Sequence, residues 1–345
     1  MRRVVLGLSL LSDSLFREEP DTVTVLGASV PRRLSSEDDE RLETAGLLPA
    51  PWERRIAVTG RDAARFLHNM LTQDVNGMPV SSVRPVALAD RKGHPIAEGQ
   101  LWREEPERFV LRIAAPFVPV LLDVFDRHRI MERVEWSVPP PGVPFLLAGP
   151  RAATVLGGEG AEAGKLPELG VDACWIRVRE ITPFDRVIFG AVPFPTASAW
   201  LSGALPVGWD AFDRARIDAG RAWMGLDVDS ERLVPEPGWD DHISYAKGCY
   251  LGQETLARLH YQGRLNWGLA RLRWSGPPVP RGSELRDSGS AGRLGWVTSI
   301  QPDESGCRAL GFLHRRAREE AIELFLPDGR PVTEVPSDGG SMRNY

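Results

Sequence analysis

Cysteine is scarce. The 345-residue chain has only Cys174, Cys249 and Cys307. They are far apart and odd in number, with no CxxC or CxxxC pair. A self-contained zinc site or iron–sulfur nest is therefore not expected, and a reducing compartment such as the cytoplasm fits best. Lysine is confined to Lys92, Lys165 and Lys247, while arginine is abundant. The six histidines show no HxH or HExxH spacing, so no metal is assigned. No apolar run reaches the roughly 18 residues of a membrane span, and no membrane association is expected. Neither sign of charge dominates: 42 basic against 47 acidic residues leave a net charge of −5. That argues against wholesale electrostatic capture of nucleic acid and leaves room for a local basic patch; direct nucleic-acid binding is not expected. Met1-Arg2-Arg3 followed by Val4 to Leu11 has the outline of a signal peptide. Ser12-Asp13-Ser14 and the want of a small-x-small site favour an ordinary strand or a loose extension.

Hydrophobic residues make up 42% and charged residues 26%, a globular balance. The length suggests about two to three domains. Ser35 to Glu40 reads as a capped acidic helix start, with Gly46 and Pro49 ending it. From Ile56 the pattern sharpens. Ile56–Gly60 reads as a strand, Arg61–Val75 as a helix with Phe66, Leu67, Met70 and Leu71 on one face, and Val83–Ala89, Ile96–Trp102 and Phe109–Ala114 as strands. Val118–Arg129 reads as a second helix and Val134–Val138 as a closing strand, giving a ferredoxin-like β-α-β order. After Pro139-Pro140-Pro141-Gly142 the pattern recurs in degraded form: strand Phe145–Ala148, short helix Ala152–Leu156, strands Cys174–Glu180 and Arg186–Ala191 around Thr182-Pro183, helix Thr196–Leu201 and strand Pro206–Gly208. Asp210 can cap a helix through Ile217. From Asn266 onward, alternating strands at Leu269–Trp274, Gly295–Ile300, Ala309–His314 and Ile322–Leu326 predict a small β-barrel.

The densest chemical signal is Lys247-Gly248-Cys249-Tyr250-Leu251-Gly252-Gln253-Glu254. Gly248 and Gly252 permit close backbone approach or positive φ. A lysine two residues before Cys249 and a helix start after it favour thiolate. The plainer alternative makes Cys249 a small buried residue and Lys247 a solvated charge. This segment resembles the K-G-C-[YF]-x-G-Q-E motif of the YgfZ family of folate-binding proteins, relatives of the glycine-cleavage aminomethyltransferase, the T-protein. Val58 to Ala63 with Phe66-Leu67 and Leu71 to Asp74, Arg216-Ile217-Asp218-Ala219-Gly220 with Gly225-Leu226-Asp227, and Gly295 to Ser299 with Ala309-Leu310-Gly311 resemble further blocks of that family. The likeness spans roughly residues 55–335; residues 1–40 have no counterpart.

The resemblance implies an α+β fold of two related ferredoxin-like lobes plus a C-terminal β-barrel, arranged as a three-lobed ring. Residues 1–55 would form an N-terminal extension and the first part of lobe A, 56–138 lobe B, 139–265 the rest of lobe A, and 266–345 the barrel. Tetrahydrofolate, or a one-carbon derivative, would lie in the central opening. The implied role is support of iron–sulfur enzymes or their assembly proteins, tRNA-modifying ones included. The implied site comprises Cys249 and Lys247 as functional groups and Asp218, Tyr250, Gln253, Glu254 and Arg258 as folate contacts. Asp218 falls where T-proteins carry a pterin-binding glutamate, and a carboxylate can accept both N–H groups of a pterin edge. Its alternative is a helix-surface pair with Arg214, Arg216 or Arg221. Arg258, one helical turn after Glu254, would anchor the folate tail or form a surface pair. Trp209, Trp223, Trp239 and Trp267 are core residues or stack on the pterin. T-proteins also place a carboxylate after a Gly-x-x-Ile turn. Here that position is Ala97, and Glu98 would face the opposite side of the strand unless the register slips. The opening is therefore expected to lack that acid, which argues against aminomethyl transfer. Two rivals remain: a true folate-dependent transferase or demethylase, and a docking factor for proteins or tRNA without a small ligand.

Overall fold

The computed structural model describes residues 21–140, 142–156, 160–170, 172–183, 185–190, 201, 203–288 and 292–336. Three larger sheets organise them. The first runs Val83–Ala89, Pro95–Glu105, Arg108–Ala114, Glu53–Thr59, Glu135–Ser137, antiparallel throughout. Setting aside the edge strand Val83–Ala89, this is the ferredoxin-like order. The helices Ala63–Met70 and Val118–His128 bury Phe66, Leu67, Met70, Leu121 and Phe125 against one face. The apolar spacing of both segments matches the 3.6-residue period, so each helix has a single stripe to bury.

The second sheet repeats the scheme. Cys174–Arg177, Arg186–Gly190 and Val143–Ala148 stand side by side, with Ala163–Lys165 at one edge. Gly46–Pro49 completes it, antiparallel to Val143–Ala148 and parallel to Leu205–Pro206. The sequence places Gly46 and Pro49 at the end of a helix. The helix is only Asp38–Leu42, and the next residues form a fully buried inner strand. Tertiary pairing with a strand about a hundred residues away overrides the local breaker signal. The hairpin Thr22–Val25/Ala28–Pro31 is a further element the pattern did not disclose. The expected helix Thr196–Leu201 lies, apart from Leu201, outside the described residues, as do Met1 to Leu11.

The third sheet runs Glu284–Leu285, Gly295–Asp303, Gly306–His314, Trp267–Trp274, Pro331–Val335, Leu324–Phe325. Arg286 and Phe325 exchange backbone hydrogen bonds of 3.1 and 2.8 Å, joining the first strand to the last and nearly closing a barrel. A buried arginine ties this barrel to the helix Trp209–Asp218: the Arg216 guanidinium donates to Asp213, Asp227 and Ser299, while Asp227 also accepts from Thr298. Among the described residues no helix is long and apolar enough to cross a membrane.

Candidate functional site

A cavity of about 900 Å³ opens where the three sheets meet. Glu53, Glu98, Gln100 and Arg112 reach it from the first sheet, Glu180 from the second, Trp223 and His242 from the connecting loops, and Trp267 from the barrel. Its size suits an organic ligand.

Glu180 is held by a built turn. Asp185 is fully buried, and its Oδ2 accepts from the backbone N–H groups of Glu180, Ile181 and Thr182 at 3.1, 2.6 and 2.9 Å. Its Oδ1 accepts from Gly149 N–H at 3.0 Å. The turn predicted around Thr182-Pro183 therefore has a carboxylate at its centre, and it delivers Glu180 to the cavity wall. Trp223 Nε1–H donates to one Glu180 oxygen, and Arg112 Nη2 lies 3.4 Å from the other. Arg112 also forks onto Glu53, with Nε–H donating at 2.6 Å, and donates to Gln100 Oε1 at 2.6 Å. Three carboxylates, Glu53, Glu98 and Glu180, thus surround one guanidinium. Burial pushes the carboxyl groups of Glu53 and Glu180 above their ordinary range, with Arg112 opposing it.

Glu98 corrects the expectation of an acid-free opening. Ala97 points into the core of the first sheet, so by strand alternation Glu98 faces the cavity. The acid arrives one residue later than expected and on the useful face. A bulge opposite Leu88/Ala89, on the same strand pair, absorbs the extra residue. His242 completes a chain across the loop: its Nε2 lies 3.2 Å from Glu98 Oε1, and its Nδ1 2.8 Å from Asp241 Oδ1. Burial alone would lower the imidazole pKa. The hydrogen bonds and charges of the two carboxylates outweigh it and raise it to about 9. His242 is therefore an imidazolium at neutral pH. Glu236, also on the wall, is pushed up to about 7 by burial.

None of the seven site residues taken from the sequence lines this cavity. Asp218, at the end of its helix, is half exposed; its carboxylate accepts from Arg308 of the barrel, with Arg273 at 3.9 Å, rather than pairing with Arg214, Arg216 or Arg221. Lys247 is buried, not solvated. Its Nζ donates to the carbonyls of His68, Leu71 and Gln73, at 2.6 Å to Leu71 and 3.0 Å to Gln73. It thereby caps the end of the Ala63–Met70 helix, while burial presses its pKa down to about 7. The ammonium sits 4.6 Å above the Tyr250 ring. Tyr250 is buried, and its hydroxyl has no hydrogen-bond partner among the described residues. Cys249 is exposed, whereas Cys174 and Cys307 are buried. Gln253 opens the helix Gln253–Gln262, and Glu254 and Arg258 are exposed along it. Gly252 has φ +84°, and a Cβ there would meet Asp90 O at 2.4 Å, so this position of the motif requires glycine. Gly248 has open space around it. Of the four tryptophans considered, Trp223, Trp239 and Trp267 line the cavity; Trp209 packs in the core against Trp52 and Trp223.

Sequence reading missed Glu53, Arg112, Glu180 and His242. They come from four separate segments with no shared motif, and only the strand alternation around Glu98 carried a usable signal. No group of histidine, cysteine or acidic side chains among the described residues is arranged to hold a metal ion.

No protein-family model matches the chain. A chloroplastic protein of Arabidopsis thaliana is 25% identical over 340 residues, covering 92% of this chain and 78% of its own length. The tRNA-modifying protein YgfZ of Edwardsiella ictaluri is 27% identical over 276 residues, covering 71% of this chain and 77% of its own. The crystal structure of glycine cleavage system aminomethyltransferase T from Bartonella henselae superposes with a TM-score of 0.79 at 18% identity, covering 92% of both chains. The chain is YgfZ-like and has the aminomethyltransferase fold. The two α+β lobes and the barrel of this YgfZ-like chain are the layout that fold supplies, with the cavity where they meet.

Proposed function

We propose that this protein binds a reduced folate, tetrahydrofolate or a one-carbon derivative, in the central cavity and supports tRNA-modifying and other iron–sulfur enzymes or their assembly proteins. One observation carries the folate reading: three carboxylates, Glu53, Glu98 and Glu180, share the Arg112 guanidinium on a cavity with aromatic walls. Carboxylates that share one cation keep lone pairs for a ligand rich in N–H donors. A pterin edge offers a ring N–H beside an exocyclic amine, and its flat ring fits between tryptophans. Glu180, oriented by Asp185 and Trp223, is the proposed partner of that edge. Arg179 and Arg221, exposed on the same cavity, would face the carboxylates of the glutamyl tail. The bound folate would supply nitrogens able to carry a one-carbon unit. Asp218 is engaged by Arg308 and leaves this role to Glu180. Cys249 is the proposed working thiol, on a loop that Lys247 pins to the first lobe; Tyr250, Gln253, Glu254 and Arg258 support that loop and its helix.

A second reading, a folate-dependent transferase, gains support from Glu98 and His242 on the wall, because the carboxylate whose absence argued against it is present.

Calorimetry with tetrahydrofolate tests the first reading. Charge-assisted hydrogen bonds are worth roughly 1.5–3 kcal/mol, so Glu180→Gln should weaken binding on the order of 10–100-fold. Asp218→Ala should leave it unchanged. Equal affinities for wild type and Glu180→Gln, or no saturable heat, would remove the assignment. Release of a one-carbon unit by wild type, lost in Glu98→Gln, would promote the second reading.

A further inference from the structure

A separate cavity of about 280 Å³ lies between the two α+β lobes. One face of the first sheet serves both cavities. Along Pro95–Glu105, Glu98 and Gln100 line the central one, while Trp102 and Glu104 line the other. Glu53 and Arg55 divide in the same way on their strand, as do Arg112 and Arg108 on theirs. The two-residue side-chain period keeps these positions on one face. Lys165 and Cys174, paired neighbours at the edge of the second sheet, form the opposite wall.

The cavity is rich in donors. Arg55, Arg108 and Lys165 bring three cations against the carboxylates of Glu104 and Asp172. Glu104 accepts from Arg108 at 2.5 Å and lies 2.9 Å from Lys165 Nζ. Arg55 Nη1–H donates to the Asp172 carbonyl and lies 3.4 Å from Cys174 Sγ. Two donors remain unmatched. Arg55 Nε and Trp102 Nε1 are shielded from solvent and have no hydrogen-bond partner among the described residues, and Trp102 is only 5% exposed. Buried N–H groups are rarely left unpaired. Cys174 does not supply the missing acceptor, because burial keeps its thiol neutral. Unmatched donors in a pocket of net positive charge require a ligand that only accepts. Arg55, Trp102, Arg108 and Lys165 come from four different strands, so a tetrahedral group with several equivalent oxygens meets them better than a planar carboxylate, which suits a single fork.

We propose that this inter-lobe cavity binds a phosphate group, free or esterified to a small organic residue, through Arg55 and the Trp102 indole N–H, with Lys165 and Arg108 supplying charge. The site is distinct from the folate cavity and does not depend on that reading.

The test follows the indole N–H of Trp102 by ¹⁵N NMR in the full chain, assigned by its loss in Trp102→Phe. Inorganic phosphate and glycerol 3-phosphate are titrated in parallel, with chloride at matched ionic strength as control. The Trp102 resonance should shift saturably with at least one phosphate and not with chloride, and the tighter of the two identifies the source. By calorimetry, Arg55→Gln and Trp102→Phe should each weaken that binding about tenfold. Should one variant fail to fold, judged by its circular dichroism, the other carries the comparison. No saturable shift with either phosphate, or binding equally tight in the folded variants, would overturn the proposal.

Discussion

His242 and Glu98 meet at 3.2 Å, Nε2 to Oε1, across 144 residues of sequence. The contact joins a short turn to the strand that walls the central cavity, and Asp241 on the other ring nitrogen fixes the imidazole. Its charge has a measurable consequence.

The His242 pKa is raised to about 9 in the folded protein, against about 6.5 when unfolded. A raised pKa stabilises the fold in full where both the folded and the unfolded chain carry the proton, and not at all where neither does. The gain is complete below about pH 6.5 and is lost as pH rises through about 9; its size is on the order of 3 kcal/mol. Urea unfolding of wild type and His242→Gln at pH 6 and at pH 9.5 isolates it. The stability gap between the two proteins should shrink by that order at high pH. A gap independent of pH would show that the carboxylates do not hold the proton.

Lys247→Met should leave the carbonyls of His68, Leu71 and Gln73 without their common donor. Buried acceptors left unpaired cost roughly 1–3 kcal/mol each before relaxation, so a loss of about 2–4 kcal/mol is expected. Hydrogen exchange should accelerate at Leu251, whose N–H donates to Asn69 O at 3.3 Å. Unchanged stability and exchange would return Lys247 to the solvated role first considered.

Cys249 should react with iodoacetamide well before Cys174 or Cys307. Cys249 is exposed, and burial raises the pKa of the other two thiols. Peptide mass spectrometry over a time course gives the order. Earlier labelling of Cys174 would contradict the arrangement of that loop.

Arg216→Met should destabilise the chain by about 3–5 kcal/mol, because it strands the buried carboxylates of Asp213 and Asp227. The barrel should loosen first, since Ser299 and Thr298 share that network. Guanidinium unfolding that remains a single unshifted transition would argue against the latch.

The sequence by itself determined the repeated α+β pattern, the terminal barrel and the glycine of the Lys247–Glu254 motif. Each rests on local physics: a period of 3.6 or 2 that leaves one stripe to bury, and a backbone angle only glycine holds without strain. The tertiary structure alone decided the rest. Gly46–Pro49 became an inner strand because a distant strand offered it hydrogen bonds. Lys247 became a helix cap because the fold carries carbonyls from residues 68–73 to its ammonium. Asp218, legible within its own helix, turned to Arg308 of the barrel, which no local spacing announces. The cavity acids follow the same rule. Glu53, Glu98 and Glu180 are unremarkable surface-type residues in sequence, and only the convergence of separate strands buries their charges around Arg112 and so raises their chemical value.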